Sequence, residues 1–263
     1  MADMRVGEVT LTETGAVTWV TISNPSKLNA MSLDMWHQLS KLLSELPSSA
    51  RCLVLRGEGL RAFVSGADIA EFSDRRRTAE DVLAYDRDAD EAMTGLAECP
   101  IPTVAMISGY CFGGGVALAL CCDVRLAAED AVFSIPAARL GLGYGWRCIK
   151  SLIDAVGPAA AADLLISARR MNGLESLQFG VVSHLYLPER LAEAVSSYAH
   201  RVARNAPLTI QAARRTIREL RRPDRQPDLA LCERLAGACF ASQDYLEGIA
   251  AFVDGREPQF HGR

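Results

Sequence analysis

Apolar residues in the first half of the chain fall into short runs that alternate with helix-spaced stretches. Val17-Thr18-Trp19-Val20-Thr21-Ile22 is rich in β-branched and aromatic residues and stops at Ser23-Asn24-Pro25, which predicts a strand and a turn. Ser32 has the character of an N-cap. After it Leu33, Trp36, Leu39, Leu42/Leu43 and Leu46 recur every three or four residues, which predicts a helix ending before Pro47. Cys52 to Leu55 is continuously apolar, the mark of a strand covered on both faces. Thr103 to Ile107 predicts another strand, Ser108-Gly109-Tyr110 a turn, and Val116 to Cys122 a buried helix. Two short strands are expected at Val124 to Ala127 and Val132 to Ile135, with a last one at Val181 to Leu185. No fixed-period repeat is visible. Strand–helix alternation argues for an α/β fold with a largely parallel sheet.

From about Pro188 the pattern is helical only: Glu189 to Asn205, Pro207 to Leu220, Leu229 to Phe240 and Asp244 to Val253. This divides the chain into residues 1–187 and a helical segment, 188–263. The latter has little core of its own and must dock on the first part or on another subunit. Glu71 to Asp90 is densely charged, with Arg75-Arg76-Arg77 inside it, and is expected to be a mobile surface loop or an exposed helix.

Composition narrows the function classes. The chain has 263 residues, 49% hydrophobic and 23% charged, ordinary for one sizeable folded domain. Lys and Arg number 28 against 32 Asp and Glu, a net charge of −4, whereas a nucleic-acid binder usually shows a basic excess. No apolar run approaches the roughly 20 residues that span a bilayer. Met1 to Val9 contains Asp3 and Glu8 and no apolar stretch, so no signal peptide is expected there. Eight cysteines without a Cys-x-x-Cys pair fit reduced, buried thiols in a cytoplasmic protein, and four scattered histidines give no zinc spacing.

Two glycine-rich turns carry the candidate chemistry. Gly57-Glu58-Gly59-Leu60-Arg61-Ala62-Phe63-Val64-Ser65-Gly66-Ala67-Asp68-Ile69 follows a strand, and Gly109-Tyr110-Cys111-Phe112-Gly113-Gly114-Gly115 runs into the helix at Val116. Glycines permit sharp turns with bare N–H groups, and those at a helix start have the positive end of the helix dipole behind them. No Gly-Lys-Ser/Thr follows, so neither turn is a Walker phosphate loop.

In order, Asn24-Pro25…Leu28-Asn29-Ala30, Phe63…Gly66-Ala67-Asp68-Ile69, Gly109-Tyr110…Gly113-Gly114-Gly115, Asp123 and Phe133-Ser134-Ile135-Pro136 resemble the crotonase (enoyl-CoA hydratase/isomerase) superfamily. The resemblance continues through Gly141, Gly180-Val181-Val182, Asn205-Ala206-Pro207 and Ser242-Gln243-Asp244-Tyr245-Leu246-Glu247-Gly248. It implies an α/β ββα-spiral core over 1–187 and a helical oligomerisation segment over 188–263, assembled as a homotrimer or a dimer of trimers. It implies an enoyl-CoA hydratase/isomerase-type lyase of fatty acid metabolism acting on an acyl-CoA thioester, with no nucleic-acid or membrane partner. No cofactor is implied, since coenzyme A arrives as part of the substrate. By motif position the N–H groups of Ala67 and Gly114 would hold the thioester oxygen as it becomes an enolate, as fixed donors can. Lys27, Leu28 and Ala30 would lie near the nucleotide, and Ala67, Asp68, Ile69 and Ala70 would line the adenine and pantetheine.

The chain departs from that family at two positions. Hydratases of the family carry glutamates where this sequence has Ala117 and Ala137. Alanine cannot transfer protons. Gly143-Tyr144-Gly145 resembles a segment of the methylmalonyl-CoA decarboxylase branch, although that branch has histidine where Ala67 stands here. Tyr144 is therefore expected either to donate a hydrogen bond or proton in catalysis or to wall the acyl channel. Decarboxylation using Tyr144, and acyl-CoA binding without catalysis, remain alternatives to hydration or isomerisation. Asp68 is expected to cap the next helix, Glu71 and Asp74 to be solvated, and Asp123 to make a structural hydrogen bond. Cys111 has no basic partner nearby in sequence. Arg214, Arg215, Arg218, Arg221 and Arg222 suit salt bridges or a subunit contact.

Overall fold

A computed structural model describes residues 7–222 and 225–263; most of the N-terminal stretch read for a signal peptide, residues 1–6, lies outside them. The polar–apolar alternation at the start forms an antiparallel hairpin of β1 (Glu8–Thr14) and β2 (Val17–Ser23), followed by α1 (Leu33–Ser44). Three times the chain then places one strand in a large sheet and the next in a small one before entering helix. The first turn is β3 (Cys52–Gly57), β4 (Ala62–Val64), α2 (Phe72–Arg75) and α3 (Ala79–Ala97). The second is β5 (Thr103–Ile107), β6 (Tyr110–Phe112) and α4 (Gly114–Cys121). The third is β7 (Val124–Ala128), β8 (Val132–Ser134), α5 (Ala137–Leu140) and α6 (Trp146–Ser167). β9 (Met171–Asn172), α7 (Gly173–Gln178) and β10 (His184–Tyr186) complete this part. The large sheet has the order β1-β2-β3-β5-β7-β10 and the small one β4-β6-β8-β9. All pairings are parallel except β1–β2 and β8–β9. The α/β expectation is borne out, with the spatial repeat written in a sequence that has no fixed period.

The apolar run Cys52 to Leu55 shows how the core is arranged. Leu53 and Leu55 join Val20, Ile22, Ala105 and Ile107 on the face toward α1, α3 and α4. Cys52 and Val54 point the other way with Val17, Trp19, Val104, Met106 and Leu126. Side chains of a strand alternate in direction, so an unbroken apolar run requires cover on both sides. The second cover is α8 (Pro188–Arg204), whose Leu191, Val195, Ala199 and Ala203 recur every fourth residue and pack on that face.

Three further helices follow: α9 (Pro207–Leu220), α10 (Leu229–Phe240) and α11 (Gln243–Asp254). α9 is tied to the core by Arg214, whose Nε donates to Asp123 Oδ2 at 2.7 Å; Asp123 also accepts from Thr103 N and Oγ1. Asp123 is thus structural, as expected. Arg215 pairs with Glu219 and Arg221, just past the helix, with Asp154, whereas Arg218 donates to Cys99 O. Asp244 Oδ1 and Oδ2 accept from His261 N and Gly262 N, which folds the final residues back onto α11.

Several elements differ from the sequence expectation. Ser32 caps α1, its Oγ accepting from Met35 N, but the helix ends at Ser44. Tyr110, expected in a turn, begins β6, because Val132 and neighbouring ladder groups pair with it. The last strand lies at His184–Tyr186 rather than 181–185. β1, β4, β9, α6 and α7 carried no prediction. β1 is a polar edge strand, and α6 hides its apolar face among alanines and a break at Gly157-Pro158. The charged stretch Glu71 to Asp90 is not a mobile loop: Thr78 and Asp81 form a capping box, and α3 buries Tyr85, Ala89, Ala92 and Leu96. Glu71 accepts from Leu33 N at the start of α1, and Asp74 stays exposed beside Arg77.

Removing the Asp123 carboxylate leaves buried Arg214 without its counter-charge. Asp123→Ala is expected to lower unfolding free energy by about 3–5 kcal/mol in urea titrations. An unchanged midpoint would contradict the anchoring of α9 through this pair.

Candidate functional site

The first turn is held by an unusual stretch of backbone. Leu28 and Asn29 both adopt left-handed conformations, φ 54° and 58°. Asn29 makes that possible: its Nδ2 donates to Ala62 O and Glu58 O, and its Oδ1 accepts from Asn24 N. The following residues are laced to the turn after β4. Ser65 N donates to Leu28 O, Met31 N to Gly66 O at 2.8 Å and Asp68 N to Met31 O at 2.8 Å. Ala67 N–H, between these bonds, has no hydrogen-bond partner among the described residues.

The second turn is set by glycine. Gly113 has φ 50° and ψ −111°, and its N–H donates to Ser134 O of β8. Gly114 is the first residue of α4, so its N–H has no acceptor within the helix, and none is supplied from elsewhere among the described residues. Gly115 lies so close to β4 that a Cβ would stand 2.2 Å from Val64 O. That approach brings the two turns together: Ala67 N is 3.9 Å from where a Cβ on Gly114 would be.

Both turns open onto one cavity of about 260 Å³, which Ala67, Gly114, Ala117, Ala137 and Tyr144 all line. Ala117 and Ala137, where the family resemblance implies glutamates, therefore present methyl groups to this space. Tyr144 Oη donates to Gly113 O at 3.1 Å, and burial pushes its phenol well above the ordinary value of 10. Tyr85 also lines the cavity; it donates to Met31 O, and burial pushes it up to about 12. Neither phenol ionises near neutrality. Cys111 is buried behind the turn and its thiol is pushed up by desolvation alone.

Of the remaining predicted residues only Ile69 lines the cavity. Lys27 Nζ pairs with Asp68 Oδ2 at 2.5 Å, and Asp68 Oδ1 accepts from Ala70 N, the capping role expected for it. Ile69 is exposed and also lines the cavity. Leu28, Ala30 and Ala70 do not line it; Ala30 O accepts from Asn24 Nδ2.

Sequence reasoning missed the ionic wall opposite the glycine turns. Arg76, Asp86 and Asp90 line the cavity. The Arg76 guanidinium sits between the rings of Phe72 (4.5 Å) and Tyr85 (4.8 Å) and is ion-paired with Asp86. Asp90 also lines an adjoining cavity of about 130 Å³, together with Ala117, Cys121, Arg147 and Cys148. The available signal was the spacing of Tyr85, Ala89, Ala92 and Leu96, which marks a buried face with Asp86 and Asp90 beside it.

Tyr144→Phe removes the bond to Gly113 O. It is expected to lower stability by about 1 kcal/mol in chemical denaturation. A midpoint equal to that of the wild type would show that the hydroxyl does not fasten the glycine turn.

Comparison with known proteins places this geometry in context. A family profile described as enoyl-CoA hydratase/isomerase matches residues 12–263. A probable enoyl-CoA hydratase of Bacillus subtilis is 33% identical over 246 residues, covering 92% of this chain and 94% of the relative. A short-chain-enoyl-CoA hydratase of Clostridium acetobutylicum is 28% identical and covers 97% of both chains. Among solved structures, an enoyl-CoA hydratase/carnithine racemase from Magnetospirillum magneticum superposes with a TM-score of 0.92 at 33% identity, covering 97% of this chain and 96% of that one.

Proposed function

The chain belongs to the enoyl-CoA hydratase/isomerase family, and from that premise we propose that it converts acyl-CoA thioesters through an enolate held on the N–H groups of Ala67 and Gly114. The observation that carries this reading is the adjacency of two unpartnered amides at the mouth of one cavity. An enolate oxygen accepts both hydrogen bonds without any donor having to reorganise. The dipole of α4 adds a favourable field at the same point.

The coenzyme A moiety lies over the rim, with Lys27, Leu28 and Ala30 toward the nucleotide and Ala67, Asp68, Ile69 and Ala70 along the adenine and pantetheine. No cofactor beyond this carrier is needed. Tyr144 acts by positioning: its hydrogen goes to Gly113 O, so the phenol braces the residue before the Gly114 donor. This favours an enolate formed by proton transfer over one formed by decarboxylation driven by Tyr144. The methyl groups of Ala117 and Ala137 in the cavity favour a second reading, an acyl-CoA binder without turnover.

The segment 188–263 serves as the oligomerisation unit of a homotrimer or a dimer of trimers. α10 buries no residue, and Phe252 and Val253 of α11 are 88% and 77% exposed, apolar surface that a neighbouring subunit would cover. No helix among the described residues is long and apolar enough to cross a membrane, and the site of action proposed is the cytoplasm.

Turnover of crotonyl-CoA, a 3-enoyl-CoA and methylmalonyl-CoA tests the reaction directly, with calorimetry of coenzyme A binding alongside. Binding without product would select the second reading. Gly114→Pro tests the donor pair: proline suits the first position of a helix and removes the N–H. Turnover is expected to fall about 10²–10³-fold with the helical circular dichroism retained. Wild-type turnover in this variant would remove Gly114 from the site. Phe252→Glu is expected to dissociate the assembly in sedimentation; an unchanged mass would exclude α11 from the interface.

A further inference from the structure

The alanines at 117 and 137 leave the cavity without a proton carrier at the usual places, and the ionisable groups that do line it can be sorted by their partners. The Arg76 guanidinium packs on two rings and Asp86 is ion-paired with it. Tyr85 and Tyr144 give their hydrogens to backbone carbonyls. Burial, reinforced by Asp90, pushes the Cys148 thiol up to about 11. Asp90 differs from all of these. It is half-buried, it lines both cavities that meet at Ala117, and its partner Arg147 is largely exposed.

We infer that Asp90, projecting from α3 toward Ala117, is the carboxylate that carries the proton in this site, in place of the glutamates found on α4 and α5 in the resembling hydratases. The inference rests on the enolate reading above and deepens it by naming the reaction class. One carboxylate beside one pair of amides suffices for a 1,3-proton shift in a 3-enoyl thioester. An Asp90 oxygen takes the proton from C2, and the C–H electron pair moves into the C1–C2 bond. The carbonyl pair moves onto the oxygen between Ala67 and Gly114. The electrons then return to form the C2–C3 double bond, while the C3–C4 pair takes the same proton from Asp90 at C4. Nothing is gained or lost, so no co-reactant is required.

The surroundings of Asp90 suit this role. Asp86, Arg87 and Glu91 of its own helix and Glu98 just past it share with Asp90 a groove whose other wall is Ser40, Leu43 and Ser44 of α1, while Arg147 and Cys148 of α6 and Cys121 of α4 share the smaller cavity with it. Arg76 lies across the cavity. The Arg147 pair is solvent-facing, so losing it costs little stability.

The test uses the full chain with a 3-enoyl-CoA, following the absorbance of the conjugated 2-enoyl thioester. The wild type is expected to turn over. Asp90→Asn is expected to lose about 10²–10⁴-fold in kcat, with KM little changed. Asp90→Glu should recover part of the rate. An Asp90→Asn protein that keeps the wild-type kcat overturns the inference. So does a wild type that binds acyl-CoA in calorimetry yet leaves the 3-enoyl-CoA unchanged. Failure to bind acyl-CoA at all would instead overturn the enolate reading beneath it.

Discussion

The contact between Gly115 and the carbonyl of Val64 governs the rest of the site. Any side chain at residue 115 would collide with that oxygen at 2.2 Å, so only glycine lets the start of α4 rest on β4. Once it does, the turn after β4 and the turn before α4 share one wall of one cavity. The two neighbouring N–H groups there lack hydrogen-bond partners among the described residues for different reasons. Gly114 lacks an acceptor because it begins a helix. Ala67 lacks one because its neighbours, Gly66 and Asp68, take the pairing offered by Met31. Elsewhere in the fold, the Asn29 brace and the Tyr144 hydrogen bond fasten these two turns from opposite sides.

The family relationship and the departure from its pattern fit the same geometry. A backbone donor pair depends on chain path, which tolerates wide changes in sequence provided a few glycines remain. A proton carrier depends on one side chain at one place, and it can move when another element offers a carboxylate to the same space. Here α3 borders the cavity together with α4 and α5, and only methyl groups stand at 117 and 137. The chemistry and the scaffold are separable in this sense, with the amides belonging to the fold and the acid–base group to its lining.

Legibility from sequence followed the strength of the local pattern. β3 and β5 were plain because each holds four consecutive apolar residues, and α1 because Ser32 and its leucine spacing agree. The glycine turns were found by motif order, and the structure brings Ala67, Gly114 and Tyr144 to a single cavity as the spacing alone could not. α3 was obscured because alanines form half of its buried stripe and charges surround it, so its pattern resembles a solvated helix. Asp90 was hidden with it. α6 was lost in an alanine-rich stretch interrupted by Gly157-Pro158. Leu28 and Asn29 gave no warning of their left-handed backbone, which depends on acceptors more than 28 residues away.

The central claim is that a thioester oxygen is polarised between the amides of Ala67 and Gly114. The infrared spectrum of a bound acyl-CoA carrying a carbon-13 label at the thioester carbonyl reads that polarisation without requiring turnover. Two N–H donors converging on one oxygen should move the carbonyl stretch to lower frequency than in aqueous solution. A bound carbonyl that absorbs at or above its solution frequency would contradict the account.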